Sequence, residues 1–392
     1  MRPAEAHPSA SRFWAGRRLA AGGTQAAVLA AAALVVWFAA SNAAANLGRL
    51  GINTGFGFLG RPAGFAISQR LVDYSESSTY LRALEVAVLN TVVLALVAIV
   101  GATIVGFALG FARRSSNGLM RAFAAGYVEL FRNVPLLLQL FFWYFAILRP
   151  LPPPRQSFSL LGAIFLNGRG LVLPRPSAAD GFGLVIAALG IGAVLAAAAA
   201  RWLRLRRARL GRAPSPWVAA ALLIAMPALA VAIAGPPIAW DLPHLRGFNF
   251  EGGLVVLPEF VAMAVALSLY SAAYIAEIVR AGIDAVSRGQ VEAARALGLR
   301  PATINAKIVV PQALRVIVPP LGNEYLRLFR NTTLAAAIGY PDLTLIFAGT
   351  AVNQTAQAVE VMLIVCGCYL AINLAVSAGI NGHNRRIGRS YR

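Results

Sequence analysis

The sequence predicts an all-α, polytopic membrane protein. Three observations carry that prediction: 58% of the 392 residues are hydrophobic against 13% charged, long apolar runs recur along the chain, and the arginines collect between those runs. A helix needs about 20 mostly apolar residues to cross a bilayer. Seven segments meet that length, near 25 to 41, 84 to 111, 123 to 148, 181 to 200, 215 to 235, 257 to 279 and 357 to 380, and an eighth, less clean, is expected between Ile308 and Ala348. About eight spans follow.

The run from 25 to 41 lies between Arg17-Arg18 and the small-residue stretch SNAAAN, a pattern similar to a cleavable leader, but it reads better as an uncleaved first helix. The run from 84 to 111 carries Asn90 and Thr91 in VLNTVVL, which either bond to a neighbouring helix or line a path. The next run contains YVELFRNVPLLLQLFFWYF. There Glu129 and Arg132, three apart on one helical face, are expected to pair, and Gln139, deeper in, to line a polar path.

The proline-rich RPLPPPRQS from Arg149 and the residues up to Asp180 read as an extended connector on the outer side. The two spans between 181 and 235 are rich in alanine and leucine and read as a lipid-facing addition. Cys366 and Cys368 lie two apart on one predicted helix and point to nearly opposite sides, while His7, His244 and His383 are scattered. Neither a metal centre nor a disulfide framework is expected.

The eighth segment, PQALRVIVPPLGNEYLRLFRNTTLAAAIGYPD, is interrupted by Pro311, Pro319 and Pro320 and can bend at Gly322. Broken helices of this kind line cavities. Asn323, Glu324, Arg330, Asn331, Thr332 and Thr333 supply donors and acceptors there. Glu324 and Arg327 either neutralise each other or present both signs of charge, as a zwitterionic solute requires.

Short loops rich in arginine stay in the cytoplasm. The segments Ala112 to Arg121, Arg201 to Arg212 and Arg280 to Lys307 are such loops, and Arg385, Arg386, Arg389 and Arg392 end the chain, so both termini are expected inside. The net charge of +20 is almost all arginine, with Lys307 the sole lysine. It suits an anionic inner leaflet, membrane lipid being a partner, and not nucleic acid. That lone lysine, between Ala306 and Ile308, also excludes a phosphate-binding loop, and neither H-E-x-x-H nor G-x-S-x-G occurs. No enzyme activity is expected, and any ATP hydrolysis belongs to another chain.

One polar stretch in the third inner loop, QVEAARALGLRP from Gln290 to Pro301, has helix formers up to Ala296, a left-handed stop at Gly298 and a helix-starting Pro301. Such a helix–turn–helix either rests on lipid or docks in a partner's groove.

Glu292-Ala293-Ala294 followed by Gly298-Leu299 resembles the EAA loop of binding-protein-dependent ABC importer permeases. The longer runs AYIAEIVRAGIDAVSRGQVEAARALGL and VVPQALRVIVPPLGNEYLRLFRNTTLAAAIG are similar to the polar amino acid permeases of the His/Glu/Gln/Arg/opine type, as are LNTVVLAL and YVELFRNVPLLLQLFFWYF. The resemblance covers about 81 to 148 and 257 to 380. It departs at Ala272-Ala273-Tyr274, Arg280-Ala281-Gly282 and Arg330-Asn331-Thr332-Thr333, where the family usually has Gly-Ala-Tyr, Arg-Gly-Gly and Lys-x-Thr-Ser. The extra first helix and the insertion resemble the longer permeases of general L-amino-acid and glutamate/glutamine/aspartate/asparagine systems.

The resemblance implies a type I ABC importer permease core. Residues 1–80 would hold the cytoplasmic N-terminus, extra first helix and an outer loop; 81–148 the first part of the core; 149–256 the insertion; and 257–392 the second part with its coupling loop at about 288–310. Glu292, Ala293, Ala294, Gly298 and Leu299 would contact the ATPase. Asn90, Gln139, Asn323, Glu324, Arg330, Asn331, Thr332 and Thr333 are the candidate pathway residues. The implied setting is a bacterial inner membrane, with a second, homologous permease in a heterodimer, ABC ATPase subunits that use ATP and Mg, and a periplasmic amino-acid-binding protein. No cofactor is expected on this chain. The alternative is an ion-coupled secondary amino acid transporter.

Overall fold

The computed structural model describes residues 10–49, 54–210 and 217–389. Helices α1 (Ala10–Arg49), α2 (Tyr80–Ala112), α3 (Gly118–Asn133) and α4 (Leu136–Phe141) come first. Helices α5 (Phe182–Leu210) and α6 (Trp217–Ala234) form a hairpin, and α7 (Pro258–Asp284) returns to the core. After α8 (Arg288–Ala296) and α9 (Pro301–Ile304), a π turn over Asn305–Val309 leads into α10 (Val310–Asn331); α11 (Val352–Thr355) and α12 (Ala358–Arg389) complete the chain.

The centre of the bundle is the pair α2 and α7. The Thr79 side chain caps α2 by accepting from the Arg82 N–H at 3.3 Å, and Pro258 starts α7, where its missing N–H costs nothing. Gly106 and Gly110, one turn apart, bring the α2 backbone against α7 so closely that a Cβ on either would stand 2.6 Å from a Cβ of Ile275 or Val279. In lipid, where apolar tails compete with apolar side chains, such close backbone approach is what drives helix association. Leu94, Ala98, Met263, Leu267, Ile275 and Val279 fill the seam.

The expected span 123 to 148 is bent by 103° between α3 and the helix that runs on from α4 to Leu148. Pro135 lacks an N–H and pushes Val134 to extended geometry, φ −91 and ψ 126, so α3 must stop there. The last turn, Phe142–Leu148, is a π turn.

The eighth segment differs from expectation in the opposite sense. The helix α10 runs through Pro319 and Pro320 and stops only beyond Asn331, in a 3-10 turn over Thr332–Ile338 closed by Gly339 at φ 82. A proline inside a helix costs about 3 kcal/mol. Packing on both sides opposes that cost here, with Ile317 seated on Gly282 of α7 and Gly322 seated against Ile380 of α12.

By length and apolarity, α2, Phe182–Leu203 of α5, α7 and Ala358–Ile380 of α12 can each cross a membrane, and the bent pair makes a fifth. The apolar stretches Thr24–Ala39 in α1 and Leu223–Ala234 in α6 are shorter, and α10 carries Arg315, Glu324, Arg327 and Arg330. Of the eight spans expected, up to five meet the test of length and apolarity among the described residues, and these three do not.

The connector from 149 contains strands that were not expected from the sequence. Strands β1 (Phe158–Leu160), β2 (Ile164–Asn167), β3 (Gly170–Leu173) and β4 (Arg175–Ala178) precede α5. Strands β5 (Ile238–Asp241), β6 (His244–Arg246), β7 (Asn249–Glu251) and β8 (Leu254–Val256) follow α6. They pair antiparallel as β1-β2-β3-β8, β4-β5 and β6-β7. Asn167 faces Gly170 across the two-residue loop Gly168-Arg169, and the Asn167 side-chain oxygen accepts from the Arg169 N–H at 2.8 Å. Leu151, Leu166 and Val256 seat this sheet on the main core. Strands β4 and β5 bring the two ends of the α5–α6 hairpin side by side, Arg175 opposite Asp241.

Candidate functional site

Two places carry polar chemistry: the turn after α8, and the face of α7 turned towards α10 and α3.

At the turn, Leu299 N–H donates to the Ala294 carbonyl at 3.2 Å and Gly298 N–H to that of Arg295 at 2.9 Å. This double closure needs a left-handed residue, which Gly298 supplies at φ +71. Ala294 is buried under it, whereas Ala293 and Leu299 are exposed and Leu297 is 79% exposed. Glu292 and Arg295 turn back to line a cavity of about 520 Å³ with Arg114, Ile283 and Val310. An apolar knob therefore projects on a rigid turn, and the charged side of α8 faces the bundle.

The turn is joined directly to the bundle. The Gln312 amide of α10 donates to the Gln290 side-chain oxygen of α8. From Pro301 through the π turn to Asn331 the chain stays helical, a rod of roughly 45 Å at 1.5 Å per residue.

Along α7, Tyr270, Tyr274, Glu277 and Asp284 recur at helical spacing on one side. Glu277 pairs with Arg113, which caps the end of α2, and with Arg280; Asp284 pairs with Arg114, the next residue, and with Arg280. Nearer the middle of the bundle, the Arg327 Nη2 of α10 donates to Glu324 Oε1 at 2.7 Å and lies 2.6 Å from Oε2 in an ion pair, and its guanidinium lies 3.5 Å from the centre of the Tyr274 ring. Arg132, in the last turn of α3, reaches the same ring at 5.2 Å, and the Tyr270 and Tyr274 hydroxyls are 3.1 Å apart.

The expected Glu129–Arg132 pair does not form, because Arg132 lies over Tyr274 instead. Glu324 is 6% exposed and committed to Arg327, as one of its two sequence readings had it. Asn323 and Arg330 are exposed and share a face of α10 with Arg327. Asn331 is half-buried at the end of the rod. Thr332 and Thr333 hydroxyls donate to the carbonyls of Phe329 at 2.7 Å and Arg330 at 3.0 Å, closing that end.

Two of the expected pathway residues, Asn90 and Gln139, bond to backbone carbonyls in this structure. Asn90 is fully buried and its amide donates to the carbonyls of Gln69 at 2.8 Å and Pro341 at 2.9 Å, tying two loops to α2. Gln139 donates to the carbonyls of Phe131 at 3.0 Å and Val134 at 2.9 Å, groups that the bend leaves without helical partners. Asn90 ties loop backbone to a continuous helix, and Gln139 repairs backbone where a helix is interrupted. The α7 stripe was not expected from the sequence, although its spacing in YSAAYIAE was legible.

A family model described as "Binding-protein-dependent transport system inner membrane component" matches residues 192–389. YhdX of Escherichia coli, whose name places it among amino-acid ABC transporter permease proteins, is 48% identical over 363 residues, 92% of each chain. The general L-amino acid transport system permease protein AapQ of Rhizobium johnstonii is 45% identical over 90% of this chain and 88% of its own length. The glutamate/glutamine/aspartate/asparagine transport system permease protein BztB of Rhodobacter capsulatus is 38% identical over 90% of both. Alignments this long leave too few residues unmatched to omit the 149–256 insertion.

Proposed function

Since the chain belongs to the binding-protein-dependent transport inner-membrane components, and within them to the amino-acid ABC permeases, we propose that its turn at Gln290 to Pro301 is where a separate ATPase drives import of polar L-amino acids. The observation that carries this reading is the helical rod from Pro301 to Asn331, continuous through its π turn, with the exposed turn at one end and Asn323, Arg327 and Arg330 towards the other. A push on Leu297 and Gly298 is delivered along α10 to the middle of the bundle, where polar groups can be turned to one side of the membrane or the other.

In this reading the chain is a multi-pass inner-membrane protein with both termini inside. The ATP and Mg act in the partner ATPase, a periplasmic binding protein delivers the solute, and a second, related permease completes the path. The exposed face of α10 supports that last point, since a charged face inside a membrane needs a polar neighbour. The names of its relatives support a broad or glutamate/glutamine/aspartate/asparagine range.

The test is copurification from membranes followed by uptake in proteoliposomes. The chain should bring down a nucleotide-binding subunit, and amino acid uptake should require ATP inside. Uptake driven by an ion gradient without ATP would overturn the reading.

A further inference from the structure

The importer reading requires a place where a charged solute exchanges water for protein. We propose that Arg132 and Arg327, which share the ring of Tyr274, form an intramembrane site for a carboxylate of the solute and favour amino acids with acidic side chains over basic ones. The proposal rests on the importer reading.

Most of the charges around this ring are already neutralised. Glu324 holds Arg327, Glu277 holds Arg113 and Arg280, and Asp284 holds Arg114 and Arg280. Among the described residues no acid pairs with Arg132. It is kept in place by three weaker attractions: the face of Tyr274, the negative end of α3, whose last turn it occupies, and the more distant charge of Glu277, which Arg113 and Arg280 also share. The neighbourhood therefore carries surplus positive charge.

Arg327 contributes an unsatisfied donor as well as a charge. Its Nη2 bonds to Glu324 Oε1 and pairs in charge with Oε2, whereas its Nε is buried and has no acceptor. A buried donor of this kind is costly to leave unmade, and a carboxylate oxygen would complete it. The paired hydroxyls of Tyr270 and Tyr274 stand beside the same position.

The same arrangement disfavours a cationic side chain. Glu277, Asp284 and Glu324 are each already committed to at least one arginine, and Glu259, at the far end of α7, accepts from the Tyr144 hydroxyl, so a lysine-like solute beside Arg132 finds like charge. An acidic solute finds Arg132. The site also lies where coupling can act on it, because Arg327 rides on the α10 rod while Arg132 sits at the α3 bend. Movement of one relative to the other changes affinity between two states, which transport requires.

The test uses the complete transporter, with its ATPase and binding protein, in proteoliposomes, comparing initial uptake of labelled glutamate, glutamine and lysine. Wild type should carry glutamate at least about tenfold faster than lysine. Arg132→Gln should shift the glutamate-to-glutamine ratio towards glutamine by about tenfold, Arg132→Lys should restore most of it, and Arg132→Glu should bring lysine above glutamate. Arg132 is exposed in this chain, so these variants should assemble, and copurification with the ATPase checks that they do. Equal losses for glutamate and glutamine, or an unaltered ratio in Arg132→Gln, would overturn the proposal while leaving the importer reading intact. Absence of ATP-driven uptake of all three solutes in wild type would overturn both.

Discussion

Gly298 and Gly110 show how differently one residue type can act. At Gly298 nothing lies within 4 Å of where a Cβ would stand, but φ is +71, so the constraint is conformational, and an L side chain there costs roughly 1–2 kcal/mol. Gly298→Val should weaken ATP-driven uptake more than Gly298→Asn, since asparagine tolerates the left-handed region; equal effects in an uptake assay would argue that turn geometry is unimportant. At Gly110 the backbone is ordinary helix and the constraint is space, Val279 standing 2.6 Å from an added Cβ. Gly110→Leu should lower the melting temperature of the purified complex by overpacking worth about 1–3 kcal/mol, whereas Gly126→Ala, with nothing within 4 Å, should not lower it.

At the scale of elements, the bend after α3 depends on one side chain from the helix that follows it. Gln139→Leu keeps the size and removes both amide bonds, leaving the Phe131 and Val134 carbonyls with no donor from that side chain. A loss of about 1–3 kcal/mol is expected, read as a lower melting temperature of the complex; an unchanged value would mean that other groups satisfy those carbonyls. The α10 helix makes the complementary point. Its tandem prolines have local chemistry that breaks helices, yet α7 and α12 grip it on either side of them. Local sequence decides where a helix can stop, and packing decides whether it does.

Over the whole molecule, the α5–α6 hairpin is attached through β4 and β5, whose outer partners Arg175 and Asp241 lie opposite each other. Replacing residues 176–240 by a two-residue turn should leave a chain that inserts, copurifies with the ATPase and supports uptake; loss of insertion would show that the hairpin is part of the core. The apolar segments, the turn at Gly298 and the polarity of α10 were legible because length, glycine stops and charge are local signals. The break at Pro135 was a local signal hidden in a continuous apolar run, whereas the passage of α10 through Pro319-Pro320 and the backbone roles of Asn90 and Gln139 were not legible, because each depends on groups beyond the local pattern. The π turn at Asn305–Val309 adds something to the rod it interrupts. A π turn holds one residue more than an α turn, and that extra residue can pass along a helix as a dislocation passes through a crystal, one hydrogen bond at a time. Each step turns the helix it has crossed by about 100° per residue without unwinding it, so rotation of α10 needs no hinge.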